Sequence, residues 1–151
     1  MEAILFIGIQ TVGKSTYYKA RFFATHMRIN LDVLKTRKRE QLLLQACIAA
    51  KQPFVVDNTN TLKGDRARYI EAAKPAGFRI VGYYFQSSLK DALQRNNQRD
   101  GKANIPEKGL LAMYQRLEVP GYTEGFDKLY DVAIDPATCQ FLVREWEDEV
   151  R

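Results

Sequence analysis

The run Gly8-Ile9-Gln10-Thr11-Val12-Gly13-Lys14-Ser15-Thr16 constrains this chain more than any other feature, and it follows directly on the apolar stretch Ala3–Ile7. Its spacing fits GxxxxGK[ST], a pattern whose glycines let a loop turn so that backbone N–H groups form an anion nest. A helix opening at the end of that loop adds its positive pole. Lys14 is then set to reach the β- and γ-phosphates, and the Ser15 hydroxyl to ligate Mg²⁺. The expectation is a site for ATP, or another nucleoside triphosphate, with magnesium, built from Gly8, Gln10, Thr11, Val12, Gly13, Lys14, Ser15 and Thr16.

Apolar runs and amphipathic runs alternate along the rest of the chain without a linker or repeat. Strands are predicted at Ala3–Ile7, His26–Asn30, Phe54–Asp57, Phe78–Phe85 and Tyr130–Ile134. Helices are predicted from the phosphate loop to about Ala24, over Glu40–Lys51 and Arg66–Lys74, from Ser88 to about Gln98, over Pro106–Leu117, and over Thr138–Glu149. This order implies an α/β three-layer sandwich, with an about five-stranded parallel sheet and helices on both faces, the ligand lying at the carboxyl ends of the strands. Residues 1–151 are expected to form a single domain. The Gly, Lys and Asn residues between Asp100 and Ile105 suit a helical lid spanning about 95–118.

Nearly half the 151 residues are apolar and 27% are charged, the profile of a folded soluble protein. The net charge of +5 favours an anionic partner. Cys47 and Cys139 stand far apart with no CxxC pattern, so both are expected to be reduced core thiols. The first apolar run is too short for a membrane span and lacks the basic flank of a secretory signal, and the expectation is a cytoplasmic protein.

Asp57 ends an apolar strand, where its carboxylate would face the phosphate loop and hold magnesium, although Asp57-Asn58-Thr59-Asn60 is also good turn text. Asp32 follows the second strand into the same crevice. It is either a general base for an attacking hydroxyl or a helix N-cap. Arg95 and Arg99, four apart on one helix face, either close over a triphosphate or point to solvent. Lys35, Arg37, Lys38 and Arg39 form a basic cluster beyond Asp32, suited to a polyanionic acceptor or to an ordinary solvated helix start. His26, the sole histidine, has no metal-ligand companion and reads as structural.

Several of these motifs, in this order, resemble the 5′-hydroxyl kinase domain of polynucleotide kinases, within the zeta-toxin-like P-loop kinases. The marks are Gly8–Ser15, Asn30-Leu31-Asp32, Val55–Asn60 followed by Arg66-Ala67-Arg68-Tyr69, Arg95-Asn96-Asn97-Gln98-Arg99, Ile105-Pro106, Met113-Tyr114, and Pro120 with Glu124-Gly125-Phe126. The likeness runs from about Ala3 to Ile134. It implies the P-loop kinase fold, Asp32 as catalytic base, Lys14 and Ser15 as phosphate and magnesium contacts, and Arg99 as lid arginine. The chain departs from the family at Gln10-Thr11-Val12, at Leu31, where the family often has an arginine, and at Lys35, since a lysine cannot make the bidentate phosphate fork of an arginine.

The reading is a kinase acting on 5′-hydroxyl ends of DNA or RNA, as in nucleic acid repair, working alone or with a separate phosphatase or ligase partner. A P-loop kinase of a nucleoside, sugar or antibiotic hydroxyl is the runner-up, and an ATPase switch the third. Oligomeric state is open. The first reading requires Lys35, Arg37 and Lys38 exposed along an open surface, the second a closed pocket around Asp32.

Overall fold

The computed structural model describes residues 1–9, 13–86, 107–135 and 137–147. Gln10, Thr11 and Val12, the helix expected from Ser88, Arg95 and Arg99, and the expected lid as far as Pro106 lie outside the described residues. Strand β1 (Glu2–Ile7) leads to helix α1 (Lys14–Arg21), then β2 (Met27–Ile29), the short α2 (Leu31–Leu34), α3 (Arg37–Ala50), β3 (Phe54–Val56) and α4 (Lys63–Ala73). These are followed by β4 (Arg79–Phe85), α5 (Glu107–Arg116), β5 (Lys128–Ile134) and β6 (Phe141–Glu145).

The strands form one six-stranded sheet in the order β2-β3-β1-β4-β5-β6. The first five are parallel, and β1 sits at the centre, with Ile4 level with Val55 of β3 and Val81 of β4. Strand alternation divides the core into two layers. Ala3, Leu5 and Ile7 pack with Leu44 and Cys47 of α3 and Tyr69, Ile70 and Ala73 of α4. Ile4 and Phe6 pack on the other face with Tyr17 and Tyr18 of α1 and with Phe22. Each fully buried Leu, Ile or Phe of this kind contributes roughly 1.5–3 kcal/mol. A glycine is needed in β4, because a Cβ on Gly82 would stand 2.6 Å from Leu129 Cδ1 and 2.7 Å from Phe126 Cε1.

The carboxyl-terminal region corrects the sequence expectation. The described part of the helix expected over Thr138–Glu149, residues 138–147, is not helical. Phe141–Glu145 is instead a strand, antiparallel to β5, which adds a sixth strand to the five parallel ones. Phe141-Leu142-Val143 suits a pleated edge, and pairing with β5, Tyr130 opposite Glu145, holds the segment there, with the exposed Lys128–Glu145 ion pair (2.7 Å) beside it. Phe141 lies against Tyr17, ring centroids 4.9 Å apart, and its ring edge reaches 3.5 Å from where a Cβ on Gly13 would sit. Trp146 then closes the hairpin, its backbone N–H donating to the Leu129 carbonyl at 2.8 Å. Helix α1 also ends sooner than expected, at Arg21. Among the described residues no helix is long and apolar enough to cross a membrane.

Cys47 is buried as expected, but Cys139 is exposed. It sits at φ 58 in the turn before β6, where no core surrounds it.

Candidate functional site

The strand order brings three chain segments to one edge of the sheet. The phosphate loop leaves β1, Asp57 leaves the neighbouring β3, and Asp32 follows β2, next beyond β3. Gly13 caps α1 at φ 86, a left-handed value that glycine adopts without penalty. Two groups of the loop are then fixed. Lys14 is 8% exposed, and its ammonium donates to the Gly8 carbonyl (2.9 Å) and the Ile9 carbonyl (2.8 Å). The Ser15 hydroxyl donates to Asp57 Oδ2 at 3.0 Å.

Asp57, only 2% exposed, thus points its carboxylate at the loop rather than back into its own turn. A third residue joins the pair. Arg28 Nε donates to the same Asp57 oxygen at 2.9 Å, and Arg28 Nη2 donates to Ser15 Oγ at 2.9 Å. The guanidinium also lies over the Tyr18 ring, 5.9 Å from its centroid. Arg28 has no mark in the sequence. Its place follows from the parallel register of β2 with β3, which sets Arg28 level with Val55.

Mg²⁺ prefers hard oxygen ligands and shares them with substrate phosphates rather than filling an all-protein cage. The Ser15 hydroxyl and Asp57 carboxylate are such oxygens, adjacent at the mouth of α1, and fit a magnesium ion shared with a nucleotide. Among the described residues no cluster of three or more His, Cys, Asp or Glu could hold a metal alone.

Asp32 is exposed, in the first turn of α2. It is not the N-cap. That role falls to Asn30, whose side-chain oxygen accepts from Val33 N at 3.1 Å while its amide donates to the Asp57 carbonyl. The backbone before Asp32 is pinned again, since Leu31 N donates to Asn58 Oδ1 at 2.9 Å. Asn58 is in turn held by Glu40, 1% exposed, to which its amide donates at 3.0 Å. The Tyr69 hydroxyl donates to the same Glu40 oxygen at 2.9 Å. Burial, and then the Glu40 carboxylate, push the Tyr69 phenol above its ordinary value, so it remains a donor. The loops carrying Asp32 and Asp57 are therefore tied to each other and to the core.

Lys35, Arg37, Lys38 and Arg39 are all exposed. Arg37 is partly engaged, donating to Glu40 at 2.8 Å and to the Tyr69 hydroxyl at 3.1 Å. Burial opposes its charge, but the hydrogen bond to Glu40 prevails and raises its pKa. His26 is structural as expected, bridging Thr25 (2.7 Å) and Glu2 (3.1 Å).

Sequence reasoning marked Arg66 and Glu124 only as motif residues. The structure joins them. Arg66, fully buried, donates from Nε and Nη2 to the two Glu124 oxygens at 2.8 and 3.1 Å, and from Nη1 to the carbonyls of Asn60 (3.0 Å) and Glu118 (2.9 Å). It clamps the segment after α5 onto the loop after β3.

A family model described as an AAA domain matches residues 31–120. The chain is 27% identical to the bifunctional polynucleotide phosphatase/kinase of Schizosaccharomyces pombe, an alignment covering 97% of this chain and 36% of that protein. It is 28% identical to the L-seryl-tRNA(Sec) kinase of Methanococcus maripaludis, over 87% of this chain and 58% of that protein. The chain thus spans between about a third and three fifths of these relatives. In fold it is similar to a gluconokinase from Sinorhizobium meliloti 1021 (TM-score 0.62, 21% identity, covering 87% of this chain and 82% of that one). It is similar also to Chaetomium thermophilum Kti12 in complex with ADP-AlF3 (TM-score 0.63, 19% identity, covering 89% and 92%).

Proposed function

Because the chain belongs to the AAA domain family of P-loop kinases, we propose that it transfers the γ-phosphate of ATP to a hydroxyl, and that this is the 5′-hydroxyl of DNA or RNA. The observation that carries the acceptor class is the open basic surface at Asp32: Asp32, Lys35, Arg37 and Lys38 are all exposed, as a polyanionic strand needs and a small-molecule pocket does not. The S. pombe relative, named for polynucleotides, supports the same choice.

In this reading Asp32 accepts the proton of the attacking hydroxyl as the bond to phosphorus forms, and the pinned Asn30 and Asn58 loops keep its carboxylate in line. Lys14 exchanges its two loop carbonyls for β- and γ-phosphate oxygens. Ser15 and Asp57 hold Mg²⁺, which when bound offsets phosphate charge. Lys35 and Lys38 receive the acceptor's own phosphates. On sequence grounds alone, Arg95 and Arg99 close over the triphosphate.

The test is transfer of labelled γ-phosphate to 5′-hydroxyl DNA and RNA oligonucleotides, with Asp32→Asn beside the wild type. Wild-type transfer is expected, falling at least about a hundredfold in Asp32→Asn with ATP still bound, the scale of a lost general base. Tight ATP binding without transfer to either oligonucleotide would exclude this acceptor and leave nucleoside and sugar hydroxyls to be assayed.

A further inference from the structure

The Ser15–Asp57 pair that would hold magnesium is already bridged by a cation of the chain itself. Arg28 approaches both oxygens at 2.9 Å, Asp57 is 2% exposed, and the guanidinium is braced by the Tyr18 ring. The Tyr18 hydroxyl is itself anchored, donating to the His26 carbonyl at 2.6 Å, so the platform under the guanidinium belongs to the fold. A buried carboxylate needs a charged or hydrogen-bonding partner, and Arg28 supplies it. Two cations at one carboxylate oxygen repel each other strongly when little water lies between them.

We propose that Arg28 is a built-in competitor of the metal: its guanidinium and Mg²⁺ contend for Ser15 Oγ and Asp57 Oδ2, so that loading a magnesium nucleotide requires Arg28 to swing off the pair. Its side chain is 28% exposed, which leaves it an outward path. Arg28 thereby sets the magnesium concentration at which the site fills. In its absence Asp57 lacks a countercharge and favours the metal, and the apparent affinity for Mg²⁺ is no longer scaled down to the unbridged fraction of molecules. The inference rests on the P-loop reading but not on which acceptor is phosphorylated.

The experiment uses the full chain and a fluorescent ATP analogue at fixed concentration, titrated with Mg²⁺ from EDTA-treated buffer. In Arg28→Gln the midpoint of the Mg²⁺ titration should fall roughly ten- to a hundredfold, the scale on which one charge-assisted hydrogen bond moves an equilibrium. Arg28→Lys keeps a cation but loses the fork, and its midpoint should lie between the two. A midpoint unchanged or raised in Arg28→Gln overturns the proposal, since a purely structural arginine would leave it in place. If Arg28→Gln does not fold, Arg28→Lys decides alone: a midpoint lowered by about twofold or more supports competition, and an unchanged one overturns it. Failure of the wild type to bind the analogue with or without Mg²⁺ overturns this proposal and the P-loop reading together, whereas binding without phosphate transfer touches only the acceptor assignment.

Discussion

Lys14 shows how tightly single residues are committed here. Its ammonium is almost out of water, held by the carbonyls of Gly8 and Ile9. Lys14, Ser15 and Asp57 were legible in the sequence because their cues are local: a fixed loop spacing, and a carboxylate at the end of an apolar run. Arg28 was not, since its place beside Ser15 and Asp57 exists only through the register of β2 on β3, which no local pattern encodes. The cysteines divide the same way. Cys47, on the buried face of α3, has its thiol pushed above the ordinary value by burial, while Cys139 stands exposed in a turn that apolar counting cannot distinguish from core. A chromogenic disulfide reagent at neutral pH should therefore titrate a single thiol in the native protein, with the second appearing only in denaturant. Cys139→Ser should remove the fast phase, and a fast phase surviving in that variant would contradict the burial of Cys47.

At the scale of elements, the loop after β3 and the segment after α5 are joined by the buried Arg66–Glu124 fork. Arg66→Met should destabilise the protein by about 3–5 kcal/mol, because it strands a carboxylate and two carbonyls in the interior. The double variant Arg66→Met/Glu124→Leu should recover part of that loss. Urea midpoints of the two variants measure it, and equal midpoints would mean that the charge on Glu124 is not what costs. Up to β4 the strands and the longer helices were readable from alternating apolar and amphipathic runs, while the four-residue α2, set by the Asn30 cap, was too short to show a period. The final strand was misread because Thr138–Glu149 mixes charges at near-helical spacing with a β-prone centre. What decides between them is the pairing of Phe141–Glu145 with β5, a contact between segments.

On the scale of the whole molecule, the parallel sheet collects at one edge groups that the chain spreads from Gly8 to Asp57, and a ligand bridging them should stabilise the native state. ATP with Mg²⁺ at a hundredfold its Kd should add about 2.7 kcal/mol, which for a chain of this size raises the Tm by roughly 5–10 °C. Adding EDTA should remove much of that shift. A Tm indifferent to ATP in both conditions would count against the site. The α/β class was legible from alternation alone, whereas the two-sided core required the topology, since only the order β2-β3-β1-β4-β5-β6 puts α1 opposite α3 and α4. One consequence concerns time rather than space. The ring behind Gly13 belongs to Phe141 of β6, the sixth strand in synthesis order. During vectorial synthesis the phosphate loop leaves the ribosome long before this ring does, so the packing behind Gly13 is completed only when β6 emerges and pairs with β5.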